Sequence, residues 1–144
     1  MIKVAIPITD LREFKALKKV VLSGKFVSGK TVNLFEKEYA KFVGTKYSVA
    51  LNSGTAALHS ALAALNLKKG DEVIVPAISF ISSATAILHQ GCTPIFCDVE
   101  LDNYCLSPKS FEDKITKKTK AVIPVHFGGS SCKMDEINKI AKRY

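Results

Sequence analysis

From residue 46 onward, short apolar runs alternate with stretches of helical periodicity, and this alternation limits the fold more than any other feature of the 144-residue chain. Residues 47–51, 72–75, 94–98 and 121–125 read as strands, bounded by turn residues such as Asn52-Ser53-Gly54, Lys69-Gly70-Asp71 and Gly91. Most of them are continuous apolar runs rather than alternating ones, the pattern of strands covered on both faces. Residues 56–65, 80–90, 108–115 and 134–144 read as the intervening helices, with Ser107 as a cap and Pro108 in the first turn of the third. The expectation is an α/β fold built on a parallel sheet.

Residues 1–45 have a different character and read as a helical lead-in. Thr9-Asp10 precedes Leu11, Phe14, Leu17 and Val21 at helical spacing, and Gly24 is placed to end that helix. Residues 31–43 repeat the pattern, with Val32, Phe35, Tyr39 and Phe42 on one side, Glu36, Lys37 and Lys41 on the other, and Gly44 after the end. There is no internal repeat or low-complexity linker.

Composition narrows the function classes. With 47% hydrophobic and 24% charged residues the chain can fill a core. No apolar run approaches the roughly 18 residues of a membrane span, and Met1-Ile2-Lys3-Val4 does not open a secretory signal, so a cytoplasmic protein is expected. The formal net charge of +8 raises the question of an acidic partner. The lysines are dispersed over turns and helix polar sides, and Arg12 and Arg143 are the only arginines, a poor supply of forks for phosphates or bases. Neither nucleic acid nor a membrane is expected as a partner. Cys92, Cys97, Cys105 and Cys132 form no C-x-x-C pair and have no histidine at finger spacing, so no metal site is expected; Cys92 and Cys97 read as small buried thiols.

In parallel sheets ligands bind beyond the carboxyl ends of the strands. Four segments fall there: 52–56, 76–80, 98–100 and 126–129. In the first, a strand turns through Ser53-Gly54-Thr55 directly into an Ala- and Leu-rich helix, which presents the helix's first N–H groups and two hydroxyls to whatever lies beyond. That turn could cradle a phosphate; equally, Ser53 or Thr55 could simply cap the helix. It is neither a Walker loop nor a G-x-G-x-x-G turn. Phe80 opens the next helix beside the same edge, where its ring is either core or a stacking platform for a planar cofactor. His59 and His89 fall inside helices and read as partly buried structural residues, whereas His126 follows a strand and can reach the ligand edge. No G-x-S-x-G elbow accompanies any histidine.

Taken in order, Gly29…Phe35-Glu36…Ala40…Val43-Gly44, then Ser53-Gly54-Thr55-Ala56-Ala57-Leu58-His59, Gly70-Asp71-Glu72-Val73-Ile74-Val75-Pro76…Phe80, Gly91-Cys92-Thr93-Pro94…Asp98-Val99 and Val125-His126-Phe127-Gly128-Gly129…Met134-Asp135 resemble the pyridoxal-phosphate-dependent sugar aminotransferases of the DegT/StrS type. The resemblance runs over nearly the whole chain. It implies an aspartate-aminotransferase-like, fold type I large domain in which pyridoxal 5'-phosphate forms a Schiff base with a lysine. Such an enzyme moves an amino group from an amino-acid donor, usually glutamate, to a nucleotide-linked keto-sugar. Gly54, Thr55 and Ala56 match that family's phosphate-binding turn, and Phe80 matches the aromatic that stacks on the pyridine ring.

Family members are well over twice this length. The aspartate that pairs with the pyridine nitrogen and the Schiff-base lysine would both lie beyond Tyr144; Lys133 sits in the wrong part of the pattern to replace the latter. The chain therefore reads as the amino-terminal part of the large domain, with no catalytic residue of its own and no transamination expected from it alone. The family's sheet pairs the strand at 47–51 with a strand absent here, which predicts exposed apolar sheet edges and a homo-oligomer. A sugar dehydratase on the same scaffold, and a non-catalytic relative with a binding or regulatory role, are the alternatives.

Overall fold

The computed structural model describes residues 6–144. Met1-Ile2-Lys3-Val4, read above for a secretory signal, lies outside the described residues. The chain divides into two compact units, one ending at Ala50 and the other running Leu51–Tyr144.

The first unit carries two helices, α1 (Leu11–Ser23) and α2 (Lys30–Val43). Their ends follow local chemistry. Asp10 accepts a hydrogen bond from the Arg12 N–H at 2.6 Å, while Glu13 accepts from the Asp10 N–H at 2.7 Å, a reciprocal capping box. Gly24 and Gly44 end the helices in the left-handed region, with φ of 64° and 76°. The strand expected at 47–51 does not form. Thr45 Oγ1 donates to the Tyr47 carbonyl, Ser48 Oγ to that of Glu36, and the Ala50 N–H to Glu36 Oε1 at 2.8 Å. These side-chain contacts take up backbone groups that a neighbouring strand would otherwise engage.

The second unit is a three-stranded parallel sheet with helices on both faces. The strands β1 (Glu72–Pro76), β2 (Thr93–Cys97) and β3 (Thr119–Val122) lie in the order β2-β1-β3. Central β1 is buried along Val73, Ile74, Val75 and Pro76. Because successive side chains point to opposite faces, Val73 and Val75 join one core and Ile74 the other. The first core adds Leu62 of α3 (Gly54–Ala64), Ala86 and Ile87 of α4 (Ser82–His89), and Cys92. The second adds Cys97, Cys105, Leu106, Phe111 of α5 (Pro108–Asp113), Cys132, and Ile137 and Ile140 of α6 (Met134–Ala141). This is the α/β architecture with a parallel sheet that the alternation implied.

Several element ends differ from expectation: α4 begins at Ser82 rather than 80, α5 ends at Asp113 rather than 115 and α6 at Ala141 rather than 144. The last strand starts at Thr119 and stops at Val122, short of Pro124, whose ring nitrogen has no proton for a ladder. Ser107 makes no side-chain cap to α5. Phe96 of the outer strand β2 is exposed, and the outer side of β3 borders an open cavity of about 680 Å³ whose walls include Phe111, Ile115, Lys117, Val122 and Tyr144. Exposed apolar sheet edges are thus present. Among the described residues no helix is long and apolar enough to cross a membrane.

Candidate cofactor site

Chain geometry brings the start of α3 to the carboxyl edge of the sheet. A short turn, with Asn66 at φ 53° and Gly70 at φ 90°, connects the end of α3 to the start of β1, and Leu58 and Leu62 pack into the core of Val73 and Val75. An 11-residue helix spans about 16 Å and a five-residue strand about 17 Å, so the helix runs back along the whole strand. Its first turn therefore lies where β1 ends at Pro76, the edge at which Phe80 also sits.

Ser53 is the N-cap of α3. Its Oγ accepts from the Ala56 N–H at 3.1 Å and its carbonyl from the Ala57 N–H at 3.0 Å. The capping role left open by the sequence is therefore real, and it engages one of the three amides of the turn. The Gly54 and Thr55 N–H groups have no acceptor among the described residues, both residues are exposed, and a Cβ built on Gly54 would meet nothing within 4 Å. Two adjacent free amides at the positive end of a helix, with open space above them and a hydroxyl on Thr55, suit the oxygens of a phosphate ester.

Phe80 is not in the core. It is 74% exposed and lies in the loop just before α4, which begins at Ser82 rather than at residue 80. Phe80 and Phe96 border a cavity of about 250 Å³ that also touches Pro76, Ser79 and Ser83. The larger cavity beside β3 has no histidine and no Gly-rich turn in its walls, so its size does not make it the site. Ser79 lies in the edge segment 76–80, but its bond partner Ser83 lies outside it; the four-residue spacing across Phe80 was the available signal.

The remaining edge segments are occupied structurally. His126 Nδ1 accepts from the Cys132 N–H at 3.0 Å, which leaves Nε2 to carry the proton of the neutral ring. Cys132 Sγ donates to the Val125 carbonyl at 3.1 Å. Burial raises the Cys132 thiol pKa and pushes that of Cys97 up to about 11, with the Asp98 charge adding to the latter, so both are protonated near neutral pH. Lys133 Nζ donates to Glu100 Oε2 at 2.7 Å, a contact that holds the Glu100 carboxyl below its ordinary value and Lys133 above its own. His59 and His89 correct the sequence reading. They are exposed, not partly buried, and their rings lie 5.5 Å apart on the outer side of α3 and α4.

Comparisons with known proteins find relatives over almost the whole chain. The spore coat polysaccharide biosynthesis protein SpsC of Bacillus subtilis (strain 168) is 43% identical over 97% of this chain and 36% of its own length. The dTDP-3-amino-3,6-dideoxy-alpha-D-galactopyranose transaminase of Aneurinibacillus thermoaerophilus is 38% identical over 96% of this chain and 41% of its own. Among solved structures, E. coli GDP-4-keto-6-deoxy-D-mannose-3-dehydratase with bound hydrated PLP superposes with a TM-score of 0.90, at 34% identity, over 96% of this chain and 37% of its own. The chain thus spans between 36% and 41% of the lengths of these three proteins. The model of the DegT/DnrJ/EryC1/StrS aminotransferase family matches residues 7–144, and the chain belongs to that family.

Proposed function

We propose that this chain supplies the phosphate- and ring-holding part of a pyridoxal 5'-phosphate-dependent aminotransferase. The enzyme would pass an amino group from an amino-acid donor to a nucleotide-linked keto-sugar in polysaccharide or amino-sugar biosynthesis. The observation that carries the reading is the pair of free, exposed amides at Gly54 and Thr55, at the carboxyl edge of a parallel sheet in a member of this family.

The residues present fit the cofactor. Gly54 and Thr55 would hold its phosphate through their N–H groups, with the Thr55 hydroxyl as a further donor, and the α3 dipole favours an anion there. Ala56 flanks the phosphate, its own N–H retained by Ser53. The exposed Phe80 ring would hold the pyridine ring by stacking on it. When bound, the cofactor acts as an electron sink for negative charge developing on the amino-acid carbon. The chain's part would be to grip the phosphate and orient the ring against Phe80, so that binding energy at the phosphate holds the reacting end in place.

Free buried cysteines accord with a cytoplasmic setting, and the open edges of β2 and β3 with a homo-oligomer. A stable monodisperse monomer in light scattering would contradict the oligomer. Equilibrium dialysis against pyridoxal 5'-phosphate and, in parallel, pyridoxal tests the binding reading. Saturable uptake of the phosphorylated form alone is expected, whereas equal uptake of both removes the phosphate cradle. No amino transfer is expected from the 144-residue chain alone, and measurable turnover would overturn that.

The likeness to the E. coli dehydratase favours a second reading, removal of a sugar hydroxyl on the same scaffold. In the protein carrying this chain, product mass separates them: the sugar gains nitrogen in one case and loses oxygen without gaining nitrogen in the other.

A further inference from the structure

The chain on both sides of the Phe80 side chain is tied to one buried residue, Ser83. The Ser83 N–H donates to the Phe80 carbonyl at 3.0 Å, and Ser83 Oγ lies 2.7 Å from Ser79 Oγ, one residue upstream of the ring. Ser83 is itself only 5% exposed, and the turn continues with the Ala84 and Thr85 N–H groups both donating to the Ile81 carbonyl. A hydroxyl buried on α4 costs stability unless it is bonded, and the bond this one makes reaches into the loop rather than into the core. The result is an exposed aromatic on a loop hydrogen-bonded to α4 at residues 79 and 80.

We propose that Ser83 is a positioning residue for the stacking ring. Its hydroxyl bond to Ser79 and its N–H bond to the Phe80 carbonyl preset where residues 79 and 80 lie, so the ring meets a planar cofactor with little ordering left to do. The inference rests on the stacking role assigned to Phe80 above.

The test uses the whole 144-residue chain with Ser83→Ala, Ser79→Ala, Phe80→Ala and the double variant Ser83→Ala/Phe80→Ala. Ser79→Ala breaks the same hydroxyl bond from the partly exposed side, where folding is not at stake. Two quantities are read: the dissociation constant for pyridoxal 5'-phosphate from its absorbance change, and the ¹⁵N relaxation of the Phe80 amide without ligand. Ser83→Ala and Ser79→Ala are each expected to weaken binding three- to tenfold and to loosen the Phe80 amide. Adding Ser83→Ala to Phe80→Ala is expected to cost no further affinity. Wild-type affinity in both serine variants beside a weakened Phe80→Ala overturns the positioning role alone, as does a Ser83→Ala effect that persists undiminished without the ring. No saturable binding by the wild type removes the stacking assignment instead, and unchanged Phe80 relaxation in both serine variants then removes the positioning role as well.

Discussion

The two units put their stability in different places. In the first, α1 has a complete capping box and a left-handed glycine stop, yet buries no side chain; Leu11, Phe14, Leu17 and Val21 are all exposed. Its companion α2 buries only Ala40. In the second unit, α4 has no side-chain cap and α5 only Pro108 in its first turn, but Ile74, Val75, Ile87, Leu106 and Ile137 are almost wholly removed from water. Helices can thus be written clearly by local signals without a core, or weakly by local signals and fixed by a sheet.

The largest expected effect tests that contrast directly. Ile74→Ala should remove about 3 kcal/mol from the unfolding free energy in urea, since it empties the centre of a closed core, while Leu17→Ala on α1 should change it by less than about 1 kcal/mol. Equal losses would erase the distinction between the units. Next in size, Thr55→Ala would remove the hydroxyl donor proposed for the phosphate and should weaken pyridoxal 5'-phosphate binding about tenfold, the cost of one hydrogen bond to a charged group, with the unfolding midpoint unmoved. Ser53→Ala should cost about 1 kcal/mol by uncapping α3, measured by thermal unfolding.

The smallest effect is in pH. Glu100 titrates below its ordinary value of 4.5 because the Lys133 ammonium bonds to its carboxylate, so its contribution is complete above that value and fades as pH falls through the lower folded pKa. Lys133 titrates above its ordinary 10.5, so its share is complete below that value and fades as pH rises past it. Glu100→Gln should flatten the acid limb of the urea midpoint between about pH 5 and 3; an unchanged limb would show that the pair contributes nothing.

Where the sequence was legible, a local cause was present. The ends of α1 followed from Asp10 and Gly24, and β1 from an apolar run buried on both faces. Tyr47 and Val49 carried the same apolar signal without forming a strand, because pairing is a property of two segments and periodicity reports only one. The offset of β3 came from its register with Glu72 and from Pro124. At the site, the Ser-Gly-Thr turn announced a helix start but not which amides remain free; that depended on Ser53 turning its hydroxyl to Ala56. Phe80 was legible as an aromatic near the edge, yet only its exposure showed that it is not a core residue. The exposure of His59 and His89 was invisible for the same reason.

The most direct test is a backbone NMR titration of the chain with pyridoxal 5'-phosphate, matched by one with pyridoxal. The account predicts that the Gly54 and Thr55 amides shift most with the phosphorylated compound and remain still with the other. Shifts confined to other parts of the chain, or identical shifts at these two amides with both compounds, would contradict it.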